Sequence, residues 1–296
     1  MVIKSTVTIF MRFCLPYEKK KMFGNFHNLT VNRDSVDPSV LVVSLNRPSK
    51  LNAVNLRLLS EINLLFGQTL ISHLASVNAV ILTGSGSRSF TSGLDLTDSG
   101  VIEILTGSST LSETPGERSS ELKRTIETMQ APILSIASFP RPVIAAVSGL
   151  CIGLGVDLIS ACDIRLCDMN AKFSVREVKI GICADLGSLF FLSRIVRNDS
   201  WVREICYTGR FFTALEAREN GLVSLVSSNV LDSALTMCRD ISTNPSIATE
   251  GIKVHLNHSL RGGMGRCLEK VALWNSIKLQ DTRTIMGCVE KIRSKL

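Results

Sequence analysis

The chain is short of the residues that mark several functional classes. Aromatic residues make up 5% of its 296 positions, with two Trp and two Tyr, so it lacks the run of stacking side chains that single-stranded nucleic acid uses. Histidine occurs four times, at His27, His73, His255 and His258. Only His255 and His258 share a helical face, and two ligands without a third do not make a metal centre. The nine Cys include no C-x-x-C pair, and the Cys162–Cys167 spacing fits no zinc pattern. That predicts no metal and reduced, partly buried thiols in an intracellular protein. Concentrated charge is missing too. The formal net charge is +7, yet basic residues are scattered apart from Lys19-Lys20-Lys21. An extended nucleic-acid surface is therefore not expected, while a small anionic ligand such as a phosphorylated cofactor remains compatible.

The longest apolar run, Val143 to Cys162, could span a bilayer by length. Asp157 lies inside it, however, and a carboxylate near the centre of a spanning helix costs about 2.5–3.5 kcal/mol. Gly149, Gly153 and Gly155 interrupt the run as well. It reads as a buried strand, a tight turn and a buried helix, so no membrane insertion is expected. The first residues lack both a long apolar stretch and a small-residue cleavage site, which argues against a secretory signal.

What is present is a large apolar fraction, 45% of residues, enough for one large domain or a domain with an appended element. Residues 1–38 read as a peripheral N-terminal extension, with a β-prone start, a charged run and polar residues after Asn25. Strands are predicted at Leu41–Leu45, Val77–Leu82, Pro142–Ser148, Asp163–Cys167, Lys172–Val175 and Leu222–Val226. Helices are predicted from the Leu56, Leu59, Leu65 and Phe66 stripe and over Glu121–Ala137, Val156–Cys162 and Ala184–Val196. Thr213 to Glu216 is a capping box, with Gly221 as its closing glycine. Residues 100–120 are rich in Ser, Thr and Gly and read as a long loop, a lid or an insertion. Everything after Val230 looks helical. Alternating strands and helices make this an α/β chain with parallel β structure.

Two segments carry the chemistry. In Gly149-Leu-Cys-Ile-Gly-Leu-Gly-Val-Asp157 a strand enters a glycine-rich turn and leaves as a helix. The first N–H groups of that helix lack intrahelical partners and face outward with the positive end of the dipole, which suits a phosphate or a developing oxyanion. It is not a dinucleotide fingerprint, because the third Gly is missing and Asp157 would face the phosphates. The second segment is Phe90-Thr-Ser-Gly-Leu-Asp-Leu96, a small-residue turn after the Val77–Leu82 strand.

Together with Asn46-Arg47-Pro48, Asn52-Ala53 and Pro142-Val-Ile-Ala-Ala-Val147, these segments resemble the enoyl-CoA hydratase/isomerase (crotonase) family from about Val40 to Gln280. The resemblance implies a stacked β-β-α superhelix over 39–230 and a helical segment over 231–296 that serves oligomerisation, as a homotrimer or homohexamer. It implies an acyl-CoA thioester substrate, with CoA part of the substrate and no separate cofactor. It places the oxyanion-hole N–H groups at Leu94 and Leu154, and substrate or CoA contacts at Lys50, Ala53, Ser92, Gly93, Leu94, Asp95 and Leu96. Asp157, Glu177 in Val175-Arg-Glu177-Val, and Asp185 in Ala184-Asp-Leu-Gly187 further resemble the dienoyl-CoA isomerase group of that family. The resemblance implies that Glu177 takes the C2 proton, Asp185 delivers one at C6, and Asp157 tunes both. The alternatives are a 2-enoyl-CoA hydratase using Asp157 and Glu177, and a non-catalytic member that binds CoA esters or RNA. Ser294-Lys295-Leu296 reads as a peroxisomal address for an import receptor, with mitochondria as the alternative compartment because residues before Glu18 lack acids.

Overall fold

The computed structural model describes residues 23–106 and 115–259. The Lys19–Lys21 cluster, the middle of the 100–120 segment and everything from residue 260 to the Ser294-Lys295-Leu296 tripeptide lie outside the described residues.

The chain enters with an antiparallel pair, β1 (Leu29–Arg33) and β2 (Val40–Leu45), followed by α1 (Leu56–Leu64). Next come β3 (Ala79–Gly84), β4 (Ser89–Thr91), α2 (Ser99–Thr106) and α3 (Pro115–Ser138). β5 (Val143–Val147) and β6 (Leu150–Ile152) lead into α4 (Leu154–Ala161). β7 (Ile164–Asp168) and β8 (Lys172–Ser174) precede α5 (Ser188–Ile195) and α6 (Asp199–Thr208). β9 (Phe212–Thr213), α7 (Ala214–Glu219), β10 (Leu225–Ser227), α8 (Val230–Ser242) and α9 (Ser246–Ser259) follow.

Three times, at β3-β4, β5-β6 and β7-β8, one strand goes to a six-stranded sheet and the next to a four-stranded one before helix returns. The larger sheet runs β1-β2-β3-β5-β7-β10 and the smaller β4-β6-β8-β9. Both are parallel except at the β1–β2 and β8–β9 pairs. This is the stacked β-β-α turn expected from the sequence. All five residues of β5 are buried, as a strand covered on both faces requires. All eight residues of α4 are buried too, so the long apolar run is an interior strand and helix. Among the described residues no helix is long and apolar enough to cross a membrane.

Four expectations differ from the structure. The 1–38 stretch contributes β1 to the main sheet, with Leu29 buried. Beyond that strand, Asp34 accepts two hydrogen bonds from Arg239 of α8, at 2.7 and 2.8 Å. The 100–120 segment is not simply a loop, since α2 and the start of α3 flank its undescribed part. Leu222 and Val223 belong to the wrap after α7, where both amides donate to Ala217 O, and the strand starts only at Leu225. The helix expected from Ala184 starts at Ser188, because Gly187 at φ 143° departs from helical backbone. Asp185 therefore stands in a loop.

Candidate active site

The site is assembled from the bottom of two turns. Leu51 and Asn52 sit at φ 50° and 54°, unusual for residues with side chains. Asn52 is buried and holds this conformation in place: its Oδ1 accepts the Arg47 N–H, and its Nδ2 donates to Ser85 O and Ser89 O. Its carbonyl accepts the Thr91 hydroxyl at 2.7 Å. The Asn46–Ala53 loop is thereby tied to β4 and to the turn that follows. In that turn Gly93 at φ 92° backs onto β6, where a Cβ would lie 2.8 Å from Ile152 O. Only glycine permits this approach.

Val54 and Leu94 form a parallel bridge through Val54 N–H to Gly93 O and Asp95 N–H to Val54 O. Those bonds use the groups flanking Leu94, so the Leu94 N–H faces away from Val54. Across the contact, Gly153 at φ 53° turns the chain into α4 and donates its N–H to Ser174 O at 2.8 Å. Leu154 is the first residue of α4, and its N–H has no intrahelical acceptor. The Gly93–Ile152 approach brings the two turns side by side.

Glu177 opens the 3-10 turn Glu177–Ile180 and leans over this junction: a Cβ at Gly153 would lie 3.3 Å from its Oε1. Asp157, one turn into α4, is 1% exposed. Its Oδ1 accepts the Ser188 N–H at 2.5 Å. Gly187 has no side chain to cap α5, and Asp157 does so from the neighbouring helix. Asp185 lies three residues before that helix, its carbonyl accepting from Gln130 Nε2 of α3 at 2.6 Å.

The three carboxylates act on one another. Burial raises Asp157 to about 7, repulsion from Glu177 and Asp185 adds to the shift, and the Ser188 bonds oppose it. Glu177 is also raised, by burial first and by Asp185 next. Asp185 is raised by burial. Asp157 Oδ2 and Glu177 Oε2 are buried without hydrogen-bond partners among the described residues. In each case the shift favours the protonated acid, and mutual repulsion opposes ionising all three together.

Beside Asp185 opens a cavity of about 980 Å³, with walls that include Leu134, Ser160, Leu189, Phe190 and Phe191. Glu177 and the two glycine turns are not in its walls, so it adjoins the site only at the Asp185 end. Of the other predicted contacts, Lys50 is exposed at the end of the Pro48–Lys50 turn, and Ala53 gives its carbonyl to Arg47. The Ser92 amide is bonded to Leu51 O, and Leu96 is half exposed. The Asp95 carboxylate is committed elsewhere, to Arg47 at 2.8 Å and to the N–H and hydroxyl of Thr97. Reasoning from sequence missed Gln130, Ser188 and the anchoring roles of Arg47 and Asn52. Among the described residues no group of three or more His, Cys, Asp or Glu could hold a metal ion.

Known proteins resemble this chain in sequence and in fold. The family model described as enoyl-CoA hydratase/isomerase matches residues 35–269. The chain is 37% identical over 281 residues to the mitochondrial Delta(3,5)-Delta(2,4)-dienoyl-CoA isomerase of Rattus norvegicus, covering 92% of this chain and 82% of the relative. It is 39% identical over 260 residues to the peroxisomal Delta(3,5)-Delta(2,4)-dienoyl-CoA isomerase of Arabidopsis thaliana, covering 86% and 90%. The crystal structure of enoyl-CoA hydratase from Bacillus anthracis superposes with a TM-score of 0.78 at 25% identity, over 91% of this chain and 97% of that one. With the stacked β-β-α turns, the paired glycine turns and the acid cluster, these matches lead to one conclusion: the chain is an enzyme of the enoyl-CoA hydratase/isomerase family and has the crotonase fold.

Proposed function

We propose that the enzyme isomerises a 3,5-dienoyl-CoA to the 2,4-dienoyl-CoA in fatty-acid β-oxidation. One observation carries this reading: three carboxylates with raised pKa values, on separate backbone segments, are electrostatically coupled, with Glu177 against the Gly153 turn and Asp157 in the helix that turn opens. The Leu94 and Leu154 N–H groups take the thioester oxygen. Glu177 removes a C2 proton, and the electron pair delocalises onto that oxygen, where fixed donors are worth about 3–4 kcal/mol each, and through the C3–C6 diene to C6. Asp185 then protonates C6, leaving double bonds at C2 and C4. The step ends with Glu177 protonated and Asp185 ionised. Asp157 lies between them electrostatically and helps the proton inventory reset. Only protons move, so CoA enters as part of the substrate and no separate cofactor is needed. The names of both relatives support the same substrate class. Incubation with a 3,5-dienoyl-CoA and, separately, a 2-enoyl-CoA tests the proposal. Turnover of the dienoyl ester is expected to dominate; hydration of the enoyl ester without dienoyl turnover overturns it.

The peroxisome is the proposed compartment, on the Ser294-Lys295-Leu296 tripeptide and the name of the Arabidopsis relative. The rat relative is named mitochondrial. Deleting the tripeptide is expected to leave activity intact and the protein in the cytosol. Import that survives the deletion favours mitochondria. The assembly is proposed to be a homotrimer or homohexamer with packing through residues 231–296.

A further inference from the structure

The loop carrying Asp185 packs through Leu186, which is buried in the core, and Ala184 beside it, but few hydrogen bonds fix its backbone. From Gly181 to Gly187 it has no helix or strand, and it joins α5 through a glycine at φ 143°. Among the described residues, apart from the α5 amides of Phe190 and Phe191 that donate to Gly187 O, one hydrogen bond from another element reaches the backbone of residues 183–187: Gln130 Nε2 to Asp185 O, at 2.6 Å across 55 positions. Gln130 is itself well placed to anchor. Its neighbours Met129 and Ile133 are buried in the core, so its backbone cannot drift. One turn on, Ile133 Cγ2 lies 3.3 Å from where a Cβ on Gly187 would be, so α3 meets the loop at two points.

We infer that Gln130 is a positioning residue for the remote acid: its amide fixes the loop so that Asp185 stands where C6 will be, separate from the chemistry at C2. This rests on the dienoyl-isomerase reading and deepens it. The residue type fits the task. A Lys or Arg would donate equally well to the carbonyl, but its charge beside Asp185 would pull that carboxyl down and weaken it as an acid. A neutral amide supplies the donor without that cost. The two turns are held by other contacts, Gly153 N–H to Ser174 O and Asn52 Nδ2 to Ser89 O, and Glu177 sits in its own Glu177–Ile180 turn. Loosening the Asp185 loop should leave them in place.

The test is Gln130→Met, which keeps length and removes the donor. The substrate is a 3,5-dienoyl-CoA, and both isomerisation and exchange of the C2 proton with deuterated water are followed. Isomerisation kcat is expected to fall about 10–100-fold, the usual effect of small misplacement. KM, the C2 exchange rate and the melting temperature should stay near wild type. Gln130→Glu supplies a readout that a merely structural role would not move. Its carboxylate repels the Asp185 carbonyl at high pH, whereas the protonated form regains a donor. Isomerisation in this variant should therefore recover relative to wild type as pH falls. The inference is overturned if Gln130→Met loses exchange and isomerisation in equal proportion, keeps full isomerisation, or if Gln130→Glu shows no pH-dependent recovery. A wild-type enzyme that does not convert the dienoyl ester overturns the functional reading and this inference together. Wild-type conversion that Gln130→Met leaves unaffected removes the inference alone.

Discussion

Asp95 and Asp157 are almost equally buried, at 5% and 1% exposure, and each follows one of the two glycine turns. Their chemistry is opposite. For Asp95 burial pushes the carboxyl up, but bonds from Thr97 and Arg47 outweigh it and hold it low. For Asp157 burial is reinforced by two neighbouring acids, and a single Ser188 contact partner does not offset them. One carboxylate has both oxygens engaged and serves the fold. The other has Oδ2 unpartnered and a proton affinity near neutrality. Burial by itself therefore says nothing about function; the partners that burial leaves around the group decide it.

The largest effects should appear in the unsatisfied region. Glu177→Gln is expected to lower dienoyl turnover about 10²–10⁴-fold, the range for a positioned base, and to abolish C2 exchange with it. Asp185→Asn should cost a similar factor in isomerisation while exchange at C2 persists. Steady-state kinetics alongside deuterium exchange separates the two, and equal loss of both activities in Asp185→Asn would remove its distinct role.

In the satisfied region the effect moves from rate to stability. Asp95→Ala strands Arg47 and is expected to cost about 2–4 kcal/mol by denaturant titration, less than a fully buried pair because Arg47 stays partly wet. Asp95→Asn, which keeps an acceptor for Thr97, should cost less. A loss of activity without a loss of stability would show that Asp95 works on substrate after all.

Asp157 should show the reverse sign. The native state holds its proton up to about pH 7, whereas the unfolded chain releases it at an ordinary carboxylate pH. Between those values the native state binds more protons, so its stability falls as pH rises. Asp157→Asn carries no such loss, and its Oδ1 still accepts from Ser188. The variant is expected to match wild type near pH 4 and to exceed it by about 1–3 kcal/mol at pH 8, read from melting across that range. A difference independent of pH would contradict the raised proton affinity.

Much of this was legible from the chain. Runs such as Val143–Val147 and Val156–Ala161 announce interior elements, and the glycine spacings around Gly93 and Gly153 mark the turns. Glu177, Asp185 and Asp157 were visible as acids in a motif. What was illegible is short or distant. Strands β4, β6 and β9 have three residues or fewer, too few for an alternation to register. Ala184-Asp-Leu186 looks helical by residue type, and only the backbone at Gly187 shows that Asp185 precedes the helix. Arg47 and Asp95 are 48 positions apart and Gln130 and Asp185 are 55 apart, and no local pattern connects either pair.

The central claim is that two separate carboxyls handle the two ends of the dienoyl unit. Running the wild-type reaction in deuterated water and locating the label in the 2,4-dienoyl product tests it most directly. A donor distinct from the base draws its proton from solvent, so deuterium should appear at C6 from the first turnover. Retention of the substrate's C2 protium at C6 would mean that Glu177 alone carries the proton across, contradicting the division of labour between Glu177 and Asp185.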